Sequence, residues 1–83
     1  MEIKVLGPGC SNCKKLYAEV EKAVAQTGQP ATITKVENME EIATYDLLRT
    51  PGLVIDGQVV ASGRIPGAAE IATMITTVLA TKA

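Results

Sequence analysis

Histidine, tryptophan and phenylalanine are all absent from the 83 residues, and two tyrosines are the only aromatic side chains. Without histidine the chain lacks both the commonest general base and the commonest metal ligand. With so few rings it has no stacking platform for single-stranded nucleic acid, and its core must come from Ile, Val, Leu, Ala and Met. An excess of one charge is missing too: eight basic residues face nine acidic ones with no long run of either. Composition therefore gives no electrostatic argument for nucleic acid or for an anionic membrane as partner. No apolar stretch approaches the roughly 20 residues of a membrane span, and the opening "MEIKVLG" has no cationic leader. The expectation is a soluble cytoplasmic monomer. Residues 1–83 are expected to form one domain with one modest core.

What the sequence does contain is a clear order of elements. Glu2 to Leu6 alternates and meets Gly7-Pro8-Gly9, a strand followed by a tight loop. From Cys13 onward, Leu16, Tyr17, Val20, Ala23 and Val24 recur at helical spacing, with Lys15, Glu19 and Lys22 on the other face. Thr27-Gly28 ends this helix. The β-branched run "ATITKV", residues 31–36, predicts a second strand, parallel to the first because a helix separates them. Asn38 with Glu41 resembles a cap and its box partner, opening a helix through about Leu48. Thr50-Pro51-Gly52 breaks the chain before "LVIDGQVVA", in which Asp56-Gly57 marks a hairpin turn. After the loop from Ser62 to Gly67, Pro66 is placed to start a last helix with the stripe Ile71, Met74, Ile75, Val78 and Leu79. The result is an α/β order, β-α-β-α-β-β-α.

The two cysteines, Cys10 and Cys13, lie within "LGPGCSNCKKL". A bridge between them would close so short a loop that chain entropy assigns it only about 2 kcal/mol, and it would join no distant elements. As a staple it is a poor choice. On a first helical turn the same spacing brings the two β-carbons within disulfide reach, which suits reversible oxidation. Cys10 at the cap would face unpaired backbone N–H groups and the positive end of the helix dipole, which favour a thiolate. Lys14 and Lys15 add positive charge nearby and equally suit a solvated helix face. Two thiolates without histidine fall short of a tetrahedral zinc centre. They could still hold a soft metal such as Cu(I), as a chaperone-like module does, or act as a redox sensor. Copper-chaperone domains, however, run β-α-β-β-α-β and carry a methionine two residues before the first cysteine, where this chain has Pro8.

With "GPGCSNC" after the opening strand and "TPGLVIDG" before the hairpin, the chain resembles the thioredoxin superfamily over nearly its whole length. Its small thioredoxin/glutaredoxin-like redox-active disulfide proteins of archaea and bacteria are the nearest likeness. The resemblance implies a thioredoxin fold with a four-stranded mixed sheet and a dithiol–disulfide oxidoreductase without a cofactor. It implies protein or small-molecule disulfides as substrates and a thioredoxin-reductase-like or thiol reductant as electron source. Cys10 would be the attacking nucleophile and Cys13 the resolving thiol. Ser11 and Asn12 would tune the potential. With Gly9, Thr50 and a cis Pro51, they would also face an extended substrate segment. Pro8, Lys14 and Gly63 would support the site.

The likeness has departures. Thioredoxins usually place a tryptophan before the first cysteine and Gly-Pro between the pair; here stand Gly9, Ser11 and Asn12. Six residues before the first cysteine, where thioredoxins bury an acid, stands Lys4, read as a strand lysine reaching solvent. Asn12 and Gly63-Arg64 replace the aromatic residue and the Gly-Gly element of glutaredoxins, so glutathione binding is not carried over. Arg64 reads as an exposed loop arginine, Met39 and Met74 as core positions, and Tyr17 as a packing residue.

Overall fold

The computed structural model describes residues 1–46 and 49–82. Strand β1 (Glu2–Leu6) leads into helix α1 (Ser11–Thr27), followed by β2 (Thr32–Val36), the short α2 (Met39–Ala43), β3 (Gly52–Ile55), β4 (Gln58–Ser62) and α3 (Ala68–Lys82). The strands form one four-stranded sheet in the order β2-β1-β3-β4. β1 pairs with β2 in parallel, Glu2 opposite Thr32 through Leu6 opposite Val36. It pairs with β3 antiparallel, Leu6 opposite Gly52 and Ile3 opposite Ile55. The sheet is therefore mixed, and the expected element order and thioredoxin-like arrangement hold.

Alternation along β1 sends side chains to two different cores. Ile3 and Val5 join Leu53 and Ile55 beneath α1 and α3, packed against Leu16, Val20, Ala23, Ile71, Ile75 and Val78. Leu6, with Val36 and Val54, faces the other way and is covered by Ile42 of α2, with Tyr45 beside it. Helix α1 stops where Gly28 adopts a left-handed backbone, φ 67°, and returns its N–H to the Val24 carbonyl. The β3–β4 turn is made by Asp56 and Gly57, both with positive φ, as the Asp-Gly pair predicts.

Three expectations need correction. Helix α2 ends at Ala43 instead of continuing through Leu48: Tyr45 lies in a turn and Asp46 has φ 54°, outside the helical range. Leu47 and Leu48 lie outside the described residues. Met39 is 59% exposed, because a helix this short covers the sheet with Ile42 and leaves its first residue in solvent. Pro66 is buried two residues ahead of α3, and the Gly67 carbonyl accepts the first helical bond, from the Ile71 N–H. Met74 packs against the main core as expected.

Candidate functional site

The site forms where the two central strands meet at one end of the sheet. Leu6 at the end of β1 pairs with Gly52 at the start of β3, so the loop of residues 7–10 and the segment entering β3 emerge side by side. The Gly7 N–H donates to the Val36 carbonyl at 2.9 Å, extending the parallel ladder one residue into the loop. A Cβ on Gly7 would collide with the Cys13 sulfur and stand 3.9 Å from the Pro51 Cα. Gly7 therefore lets the α1 cysteine approach the backbone this closely.

Cys10 caps α1 with extended backbone, and its Sγ accepts the Cys13 N–H at 3.2 Å. The Cys10 carbonyl accepts the Lys14 N–H at 3.1 Å, so the first helical turn begins on this residue. Cys10 and Cys13 form a disulfide, with Cα atoms 5.1 Å apart. Cys10 is half-buried while Cys13 is only 6% exposed. The arrangement sets a half-buried cysteine at the helix cap, its sulfur bonded by a backbone N–H, ahead of a buried one on the first turn.

Around the pair, Pro8, Gly9, Ser11, Asn12 and Lys14 are exposed, and Gly9 has φ 88°. The Thr50–Pro51 peptide bond is cis, with Thr50 exposed and Pro51 buried. The Pro51 carbonyl accepts the Gly63 N–H at 2.9 Å, which ties this segment to the end of β4. Arg64 meets Glu70 of its own chain with two hydrogen bonds, 3.1 and 2.6 Å, that hold the Glu70 carboxyl below its usual range and raise the guanidinium. Tyr17 is half-buried, and its ring centroid lies 4.7 Å from the Lys35 ammonium.

Lys4 takes a different place from the one its position in the sequence suggests. Its side chain is 24% exposed and lies on the face covered by α2, where Nζ donates to the Tyr45 hydroxyl at 3.0 Å. That bond, followed by the Glu2 carboxylate 3.4 Å away, raises its pKa. Lys4 is thus a cation held by its neighbours.

A cleft of about 310 Å³ opens beside Cys13, walled by the loop Gly7-Pro8-Gly9 on one side and by Lys35 and Glu37 on the other, with Lys14 at its helix end. The sequence reading did not single out Gly7, Lys35 or Glu37. The signal was the parallel pairing of "ATITKV" with β1, which carries the residues after Val36 to the same end as those after Leu6. Among the described residues no group of three or more metal-ligating side chains occurs, and no helix is long and apolar enough to cross a membrane.

Residues 1–76 match the family model described as a thioredoxin domain. A thioredoxin of Methanocaldococcus jannaschii is 41% identical over 69 residues, covering 83% of this chain and 79% of the relative. A thioredoxin of Methanothermobacter thermautotrophicus is 35% identical over 71 residues, covering 86% of this chain and 92% of the relative.

Proposed function

Because the chain belongs to the thioredoxin family and is a thiol–disulfide oxidoreductase, we propose that Cys10 and Cys13 are the working pair and that they reduce disulfides of protein substrates. The observation that carries this reading is the hydrogen bond from the Cys13 N–H to the Cys10 sulfur, together with the unequal exposure of the two residues. The Cys10 thiolate attacks one sulfur of the substrate disulfide, and the other substrate sulfur leaves with the bonding pair. The Cys13 thiolate then attacks the Cys10 sulfur, and the second substrate sulfur departs. Two electrons have passed to the substrate, and the protein disulfide is returned to two thiols by a reductase or a small thiol.

Gly9, Ser11, Asn12 and the Thr50–Pro51 segment line the approach to Cys10 in this reading. An extended substrate segment lies along Thr50, because proline has no N–H to donate. Pro8, Lys14 and Gly63 support the site from the loop, from α1 and from the end of β4. The same reading takes residues 1–83 as one domain acting as a monomer in the cytoplasm.

Replacing Cys13 by Ser tests the assignment. With the second sulfur gone, Cys10 should stay joined to its substrate in a mixed disulfide that mass spectrometry of the non-reduced protein detects. An empty trap, with Cu(I) retained by the native protein through purification, would favour a soft-metal module on the same two thiols.

A further inference from the structure

We propose that Arg49 selects substrates whose disulfide is flanked by carboxylates, by offering its guanidinium to the extended segment that lies along Thr50. The inference deepens the oxidoreductase reading and rests on it. Arg49 directly precedes the exposed Thr50 and the cis Pro51, so a chain laid beside Thr50 runs past this side chain.

The stem of Arg49 is held in place. A Cβ on Gly63 would stand 2.9 Å from the Arg49 Cβ, 3.2 Å from its Cδ and 3.5 Å from its Cγ, so three successive methylenes lie over the bare face of that glycine. Gly63 is itself fixed, since its N–H donates to the Pro51 carbonyl at 2.9 Å. The missing side chain at position 63 lets Arg49 fold back against the end of β4. Part of the entropy of ordering a long side chain is therefore lost before a substrate arrives.

Charge decides what this side chain can hold. The neighbouring Arg64 is committed, with both terminal nitrogens bonded to Glu70. That pairing also engages the carboxylate at the start of α3, which does not neutralise Arg49. Among the described residues the ion pairs join Lys4 to Glu2 and Glu41, Lys22 to Glu19 and Arg64 to Glu70, and none includes Arg49. Lys14, Lys35 and Glu37 stand together on the β2 flank of the cysteines, whereas Arg49 lies on the β3–β4 flank beside Thr50. Its guanidinium is a planar fork of donors that matches a carboxylate.

In an extended segment the side chains two residues from the substrate cysteine share its face. Aspartate or glutamate at those places accepts two N–H bonds from Arg49, and lysine there is repelled. Arg49 makes and breaks no covalent bond. Exchange at Cys10 follows the course already given, with two electrons passing to the substrate disulfide.

The test uses three symmetrical disulfides of one short alanine-based peptide, in which the residues two before and two after the cysteine are glutamate, glutamine or lysine. Reduced protein in excess acts on each at low ionic strength, and acid quenching with chromatography follows the released thiol. Rates are taken relative to the glutamine peptide, so that any general loss of activity cancels. Wild type should reduce the glutamate peptide about fivefold or more faster than the lysine peptide. Arg49→Gln should lose most of that factor, and Arg49→Glu should favour the lysine peptide. Lys22→Gln, which removes the same charge far along α1, should keep the wild-type ratio. Equal rates on the two charged peptides in wild type would overturn the proposal, as would a wild-type ratio in Arg49→Gln. The same loss in Lys22→Gln would also overturn it, by assigning the preference to net charge. A wild type that reduces none of the three peptides would instead sink the reading of Cys10 and Cys13 as a reductant of peptide disulfides, and the inference with it.

Discussion

Gly7 and Cys13 touch so closely that the space for a Cβ on the first is filled by the sulfur of the second. Gly7→Ala should therefore push the first turn of α1 away from the β1 end. The expected cost is about 1–3 kcal/mol, as for other insertions into a packed interior. Urea unfolding of the oxidised protein measures it, and Cys13 of the reduced variant should alkylate faster than in wild type. A stability equal to wild type would mean that the loop yields without effort.

In the reduced protein, Cys10 should react with iodoacetamide at pH 7 about tenfold or more faster than Cys13, since reactivity follows thiolate character and access. Cys10 is half-buried where Cys13 is buried, and its sulfur accepts the Cys13 N–H. Peptide mapping after a short pulse of reagent reads the ratio. Equal labelling would undo the assignment of roles.

The Arg64–Glu70 pair gives a pH dependence with a definite sign. Glu70 has a lowered pKa in the fold, so the pair stabilises the protein above the ordinary glutamate range near about 4.3. That contribution disappears as pH falls through the lower folded value. Arg64 stays charged throughout. Thermal melts should show wild type ahead of Glu70→Gln at pH 6, with the two converging toward pH 2. A constant gap would assign the difference to something other than the carboxylate's charge. Both side chains are exposed, so the gap should be small and should shrink in salt.

Leu16 is fully buried between α1 and the sheet, one turn after Cys13. Leu16→Ala should cost about 2–5 kcal/mol by leaving a cavity in the larger core. Denaturant midpoints measure the loss. A cost under about 1 kcal/mol would show that the helix re-seats itself.

Much of this fold was legible because its signals are local. Cys10 as cap, Gly28 as terminator and Asp56-Gly57 as turn each act within a few residues, and each stands where its chemistry places it. The end of α2 was not legible. Tyr45 occupies a position that continues an apolar helical stripe, yet its hydroxyl is held by Lys4, 41 residues earlier, and local periodicity carries no trace of that bond. Met39 misled for the same reason, since its pattern is amphipathic only if the helix runs on. In the site, the cysteines could be named from spacing and cap chemistry. Gly7 and Glu37 come to line one cleft only when parallel pairing of β1 with β2 sets their segments side by side.

The Asp56–Gly57 tip lies at the far end of the sheet from the sulfurs, because β1 pairs Ile3 with Ile55 there and Leu6 with Gly52 at the reactive end. Four residues of β3 separate the two ends, roughly 13 Å of strand. A fluorophore or affinity tag spliced after Gly57 would project from the pole opposite the chemistry. The protein therefore offers a natural handle for surface immobilisation that leaves its reactive rim facing solution.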